Sequence, residues 1–476
     1  MFNYSSQEIK TNLLSGLTVA LAMVPEAIAF ALIAHVSPLT GLYAAFMICL
    51  ITSLMGGRPG MISGATGALA VVMVALVAQH GVEYLFATIV LMGLFQMLFG
   101  FFKLGKYFIL VSYPVISGFT SGIGVLIILS QVEPLFGRSL SELNLSINTF
   151  SSPATLLGFT CLLVLFLWPN KYSRVVPASI VAVIGATLFF IFSGVDLPVV
   201  GAIASELPSF NMPVWESALA GEMVKSALLI ATLSTLDSLM TSLTVDSISN
   251  ELHDSDQELV GQGIGNFVAG LFGALPGGGA TMRTVTNLRA GGTTPLSGIL
   301  HALFILTIVL WAGEYTAYIP VAVLAAILTH VGISIIDWNF LKRIHQVPLF
   351  SVGLMVSTMV MSVAFDLVTA VLIGVFIANL VTIRRLSELQ LDNINLCTAK
   401  DAEHLSEPEK QLLTSMEDSV LLLNISGPIG FGVARGLKQC VSKADQDKAL
   451  LIDLTDARFI GITRTIAIEE IIVSYQ

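Results

Sequence analysis

Gly60-Met-Ile-Ser-Gly-Ala-Thr-Gly-Ala68 and Leu275-Pro-Gly-Gly-Gly-Ala-Thr-Met-Arg-Thr284 are two glycine-rich breaks set in apolar sequence. Each opens a new apolar run and places Ala-Thr at its start, Ala65-Thr66 in the first and Ala280-Thr281 in the second. A helix that begins at membrane depth leaves its first N–H groups without partners, and lipid supplies none. With the positive ends of two such half-helices pointing into one cavity, an anion is the natural occupant. Thr66, Gly67, Ala280, Thr281 and Arg283 are the candidate substrate-binding residues. Arg283 joins them because its charge adds to the dipole of the half-helix that begins at Ala280.

The membrane setting follows from composition. Of 476 residues, 55% are hydrophobic and 11% charged, and the mean hydropathy is +0.86; soluble domains carry about 25% charged residues. Several apolar stretches reach the roughly 20 residues that a helix needs to cross a bilayer. The polar start carries Glu8 and Lys10, and the apolar run behind it lacks a small-residue cleavage site, so that run is expected to remain as the first span. Cys49, Cys161, Cys397 and Cys440 are scattered, which fits neither a disulfide framework nor a CxxC metal site. The sequence has no GxxxxGK[ST], HExxH or GxSxG. It therefore supports neither an enzyme nor ATP-driven transport, and nothing in it points to nucleic acid.

The hydropathy pattern predicts an α-helical polytopic membrane protein with fourteen spans. The first seven lie at about 11–33, 40–56, 62–80, 82–102, 107–132, 153–168 and 175–193. The second seven lie at about 222–246, 258–274, 280–290, 294–313, 318–336, 347–365 and 367–385. The segment that follows a glycine break is third in each set. The first segment of each set carries one acid, Glu26 or Asp237, and the Ala-Thr pair follows 40 and 44 residues later. This spacing predicts a duplication, with repeats at about 11–193 and 222–385; seven crossings per repeat make the two opposite in orientation.

With the N-terminus inside, Lys103, Lys106, Lys171, Arg174, Lys342, Arg343, Arg384 and Arg385 fall on the cytoplasmic side. The connection 194–221, with Asp196, Glu206 and Glu216 and no Lys or Arg, falls outside. The acidic loop 247–258 reads as a solvated connector with His253 at the surface. The transporter domain thus covers 1–386 and 387–416 reads as a linker. Residues 417–476 form a small cytoplasmic α/β unit, with strands near 418–426 and 449–455 and helical spacing at 430–444 and 465–475.

Asp237 and Thr241 stand four residues apart, which puts carboxylate and hydroxyl on one helix face. An acid in a membrane segment needs a cavity or a partner. The oxygens suit a hard cation such as sodium, or the carboxylate takes a proton; the alternative is structural hydrogen bonding between helices. Glu26 follows Pro25, which removes a backbone bond and invites a broken helix. That acid either couples protons or bonds the N–H groups freed by the proline. Phe30 and Tyr43 read as core or interface aromatics.

Gly16-Leu-Thr-Val-Ala-Leu-Ala-Met-Val-Pro-Glu-Ala-Ile-Ala-Phe-Ala31, followed by Pro38-Leu-Thr-Gly-Leu-Tyr-Ala44, resembles the first-helix signature of the SulP anion transporters. The resemblance covers nearly the whole chain. It implies a seven-plus-seven inverted repeat with a core and a gate domain, an anion held between the half-helices near Thr66 and Ala280, a STAS-like tail and a homodimer. Asp237-Ser-Leu-Met-Thr241 and Gly279-Ala-Thr-Met-Arg283 look most like the cyanobacterial sodium-dependent bicarbonate transporters. Carried over, this puts Asp237, Thr241 and Thr281 near a sodium ion, with Thr66 and Ala280 near the anion. The tail stops at Gln476, after about half of the domain that the resemblance implies, and many relatives carry Gln in place of Glu26.

The expectation is a multi-pass secondary active transporter of a bacterial-type plasma membrane, with N-terminus and tail cytoplasmic. It carries a small inorganic oxyanion, bicarbonate first and sulfate second, by an elevator-type movement coupled to sodium or protons. The rival is an uncoupled anion channel or exchanger whose intramembrane acids are structural.

Overall fold

The computed structural model of the protein describes residues 5–108, 111–136, 153–169, 176–215, 217–365, 367–392, 394–397, 407–416, 420–425, 449–453, 465–466, 468–469 and 472–473. The chain separates into two compact units, Met1–Gly374 and Val375–Gln476.

The first unit is helical. Its main elements are α1 (Ser6–Ile33), α2 (Pro38–Met55), β1 (Ser63–Ala65), α3 (Gly67–Phe101), α4 (Tyr113–Ser130), α5 (Pro153–Leu167) and α6 (Ala178–Ser193). After these come α7 (Ala220–Ser249), α8 (Ser255–Leu271), β2 (Gly277–Gly279), α9 (Thr281–Arg289), α10 (Pro295–Ala312), α11 (Val321–Ile335) and α12 (Leu349–Ala364). α13 (Leu367–Asp392) runs from this unit into the second. Among the described residues, six helical stretches are long and apolar enough to cross a membrane: Ser6–Ile33, Pro38–Met55, Gly67–Phe101, Tyr113–Phe136, Ala220–Ser249 and Pro295–Tyr318. Four shorter apolar helices accompany them, α5, α6, α11 and α12.

Local sequence explains the helix starts. Ser5 and Glu8 form a capping box, in which the Ser5 amide donates to Glu8 Oε2 at 2.7 Å and the Glu8 amide donates to Ser5 Oγ at 3.2 Å. Prolines open α2, α4 and α10 in their first turn, where no backbone donor is lost. Gly81 adopts φ +83°, so the continuous stretch Gly67–Phe101 is two helices across a kink, at the boundary that hydropathy places between 62–80 and 82–102.

Pro25 does not break α1, which continues helical to Ile33. A proline inside a transmembrane helix is tolerated where neighbouring helices support the freed backbone. Here α2 lies close, since a Cβ on its Gly41 would stand 2.1 Å from the Ala27 carbonyl oxygen.

Helices α1, α2, α3, α7, α8, α9 and α10 pack into one set around the strands β1 and β2, while α4, α5, α11 and α12 pack into a second. Small residues allow the tight crossings, as expected where apolar burial does not drive association. A Cβ on Gly93 of α3 would meet the Phe267 amide nitrogen at 2.3 Å, so α3 and α8 run nearly backbone to backbone.

The loop between α7 and α8 is solvated at Glu251, Leu252 and Asp254, but His253 is not a surface residue. The His253 side chain is only 3% exposed, its Nδ1 lies 2.6 Å from Asp246 Oδ2, and Arg58 Nη1 lies 3.5 Å from Asp246 Oδ1. The Arg58 amide donates to Glu258 Oε2 at 3.0 Å. Asp246 at the end of α7 and Glu258 in α8 thus tie the stretch ahead of β1 to this region, while Glu251 and Asp254 remain exposed.

In the second unit β3 (Ile394–Cys397) pairs antiparallel with β4 (Val420–Ile425), and β4 pairs parallel with β5 (Ala449–Asp453). The stretch 387–416 carries the end of α13, β3 and α14 (Glu407–Ser415). The helical spacing at 430–444 lies outside the described residues, as does Cys440.

Candidate functional site

The two glycine breaks meet. β1 and β2 pair antiparallel in the middle of the helical unit, with Ser63 opposite Gly279, Gly64 opposite Gly278 and Ala65 opposite Gly277. A Cβ on Gly277 would stand 2.5 Å from the Gly64 carbonyl, so glycine is required for the strands to cross at this distance. Gly60, with φ +76°, turns the chain into β1 in a conformation that other residues rarely take.

A half-helix leaves each strand. α3 starts at Gly67 with Thr66 as N-cap residue and α9 starts at Thr281 with Ala280 as N-cap residue; neither start has a side-chain cap. The N–H groups at these starts therefore remain available, and the helix dipoles favour negative charge there. Thr66 and Gly67 are buried, while Ala280 and Thr281 are partly exposed.

Oxygen atoms gather at the α9 start. Thr241 Oγ1 donates to the Gly279 carbonyl at 2.9 Å and lies 2.7 Å from Thr281 Oγ1. A hydroxyl has one proton, so Thr281 donates to Thr241 and keeps its own oxygen free to accept. The Asp237 carboxylate, one turn before Thr241 on α7, stands near Thr66, whose buried hydroxyl has no hydrogen-bond partner among the described residues, and in the field of Arg283. Asp237 and Thr281 line a cavity of about 60 Å³. Its opposite wall is the apolar face of α4, with Val115, Ile116 and Phe119.

Arg283 and Glu26 form an ion pair. Arg283 Nε donates to Glu26 Oε2 at 2.9 Å and Nη1 donates to the Ala65 carbonyl at 3.0 Å. Glu26 thus binds a side chain of the other break and not the backbone around Pro25. The guanidinium, 6% exposed, also faces the Phe30 ring at 5.8 Å. The charge at the start of α9 is matched by a carboxylate, and Arg283 is a bridge between α1, β1 and α9 as much as a cation.

The structure brings together Thr66, Gly67, Ala280, Thr281, Arg283, Asp237, Thr241 and Glu26. Among the described residues no three His, Cys, Asp or Glu side chains cluster as metal ligands. One carboxylate with hydroxyl and carbonyl oxygens suits a hard, weakly held cation, and softer transition metals prefer other donors.

Two features escape the sequence reading. Phe30 stands over Arg283, and a Cβ on Gly67 would meet its ring at 3.3 Å, which puts the aromatic at the site; nothing in its apolar context marks it. Glu258, Gln262 and Asn266 form a buried polar stripe along α8. Their spacing of four was visible as one face of a helix.

The family comparison agrees with this geometry. Residues 9–387 match the sulfate permease family. The chain belongs to that family. The bicarbonate transporter BicA of Picosynechococcus sp. is 35% identical over 489 residues, covering 98% of this chain and 86% of BicA. A solved transmembrane domain of a cyanobacterial BicA superposes with TM-score 0.71 at 35% identity, covering 77% of this chain and 98% of that one. The structure of SLC26A9 shares the fold at 19% identity, with TM-score 0.83 over 99% of this chain and 83% of that chain. The sulfate permease family member described here is therefore a polytopic helical membrane protein, and the relatives named are transporters and not enzymes.

Proposed function

We propose that this sulfate permease family protein is a secondary active transporter of a small inorganic oxyanion, bicarbonate first and sulfate second, driven by sodium. The observation that carries the reading is the crossed strand pair. It sets two uncapped half-helix starts beside Asp237, Thr241, Thr281 and the Gly279 carbonyl, so that an anion and a cation fit one site. The anion sits at the N–H groups that follow Thr66 and Ala280; sodium takes the oxygens at the start of α9. Each ion lowers the cost of bringing the other out of water, which makes their binding mutually dependent.

The apolar α4 residues that face Asp237 and Thr281 across the cavity support an elevator movement, in which the strand-bearing set slides along a smooth partner. The inverted seven-plus-seven repeat, a STAS-like tail at 417–476, cytoplasmic termini and a homodimer belong to the same reading; the spacing of the two breaks, the placement of Lys and Arg and the sequence resemblance support them. One observation favours a second role for Glu26: its carboxylate is committed to Arg283, which supports structure over proton coupling. In the rival, an uncoupled exchanger or channel, Asp237 is structural as well.

Thermal stabilisation of the purified protein across bicarbonate, sulfate, chloride and dicarboxylates, each with and without sodium, tests the reading. Stabilisation by bicarbonate that grows with sodium is expected. A bicarbonate shift unchanged by sodium would refute coupling, and a shift only with dicarboxylates would refute the substrate class.

A further inference from the structure

A two-stranded sheet leaves each strand one edge without a partner, and at membrane depth those backbone groups must be satisfied within the protein. On the outer edge of β2 four groups are free of β1, the N–H and C=O of Gly277 and of Gly279. Side chains take all four. The Gly277 N–H donates to Asn266 Oδ1 at 2.8 Å. Its carbonyl accepts from Asn266 Nδ2 at 3.0 Å and from Ser234 Oγ at 2.7 Å. The Gly279 N–H donates to Ser238 Oγ at 2.9 Å, and its carbonyl accepts from Thr241 Oγ1 at 2.9 Å.

Ser234, Ser238 and Thr241 lie four and three residues apart, on one face of α7. Asn266 makes the bidentate contact of a paired strand residue from α8. It is itself oriented by Gln96 Oε1, which accepts from Nδ2 at 2.8 Å, while Gln96 Nε2 donates to Ser234 Oγ at 2.9 Å. Ser234, Ser238, Gln96 and Asn266 are all fully buried. The approach is close: a Cβ on Gly278 would stand 3.1 Å from Ser234 Oγ and 3.2 Å from Ser238 Oγ, so any side chain there would press on both hydroxyls.

We infer that α7 and α8 act as a side-chain third strand, and that Ser238 and Asn266 are positioning residues that fix the Gly279 carbonyl and the start of α9 for ion binding. The inference rests on the sodium-coupled reading for its functional consequence, but not for its geometry. Asp237 and Thr241 stand on the same helix as Ser234 and Ser238, so one rigid element sets both the ligands and the strand. A shift of the Gly279 amide would move the carbonyl and the Thr281 hydroxyl relative to the Asp237 carboxylate. Ser238 does this without touching either ion.

The test uses the full chain in proteoliposomes and nanodiscs, with wild type, Ser238→Ala, Ser238→Thr and the milder Ser234→Ala. In Ser238→Ala a buried N–H loses its acceptor, a loss of the order of tenfold in an equilibrium. Half-saturating sodium should rise roughly tenfold while the maximal rate of bicarbonate uptake changes less than about twofold. Amide hydrogen exchange should accelerate in residues 277–284 and not in 295–312. Ser238→Thr, which keeps the hydroxyl, should restore both readouts. Ser234→Ala takes the acceptor from Gln96 Nε2 but leaves the Gly279 amide on Ser238 and Asn266 on the Gly277 carbonyl, so half-saturating sodium should rise less than in Ser238→Ala. Unchanged exchange at 277–284, or equal acceleration in both segments, would overturn the positioning role. Local acceleration in a protein whose uptake ignores sodium would support the clamp and refute sodium coupling instead.

Discussion

Removing the hydroxyls of Thr241 and Thr281, singly and together, should show that they act as one unit. Thr241→Val preserves shape and removes two hydrogen bonds, the one donated to the Gly279 carbonyl at 2.9 Å and the one accepted from Thr281 at 2.7 Å. At about 1 kcal/mol net for each, the loss is about 2 kcal/mol. Thr281→Val removes only the second, about 1 kcal/mol, and the double variant again removes both, about 2 kcal/mol. A double-mutant cycle on unfolding stability should therefore give a coupling of about 1 kcal/mol in place of simple addition. Both oxygens are also assigned to sodium, so each single variant should raise half-saturating sodium by roughly tenfold or more, as expected for a lost contact to a charged group. Chemical unfolding in detergent and sodium-dependent uptake measure the two effects. Additive stabilities would refute the shared hydroxyl geometry, and unchanged sodium dependence in both variants would refute the assignment of these oxygens to the cation.

Other perturbations follow from the same contacts. Glu26→Gln leaves Arg283 buried without its carboxylate and should cost about 3–5 kcal/mol, while the pair Glu26→Gln/Arg283→Gln should recover a large part of it; thermal unfolding of the three proteins decides. Gly277→Ala puts a methyl 2.5 Å from the Gly64 carbonyl and should abolish uptake by forcing the strands apart, with normal uptake the contrary result. Asp246→Asn weakens the contacts to Arg58 and His253 that tie the α7–α8 loop down; amide exchange at 250–258 should rise without a change in half-saturating sodium.

Much of the site could be read from residue chemistry alone. The glycine breaks, the Ala-Thr pairs and the two acids stand out because polar and flexible residues are costly in apolar surroundings, and the structure draws all of them together. Pairing is what the sequence does not encode locally. Glu26 and Arg283 are 257 residues apart, and the packing of α1 against α9 brings them to 2.9 Å. Pro25 suggested a break that neighbouring helices suppress, and the acidic loop suggested a surface His253 where Asp246 supplies a partner. Gln262 and Asn266 keep a regular spacing of four, but uncharged amides do not mark a buried site in an apolar run as an acid does. In the tail, the short apolar runs at 418–426 and 449–455 point to β4 and β5, but β3 and α14 arise in a stretch that reads as a linker.

The most direct measurement is bicarbonate uptake into proteoliposomes driven by an inward sodium gradient, for wild type and Asp237→Asn. Sodium-coupled transport predicts accumulation above equilibrium in wild type and its loss in Asp237→Asn, with the variant still folded. Accumulation indifferent to the sodium gradient, or a variant that accumulates as well as wild type, would contradict it.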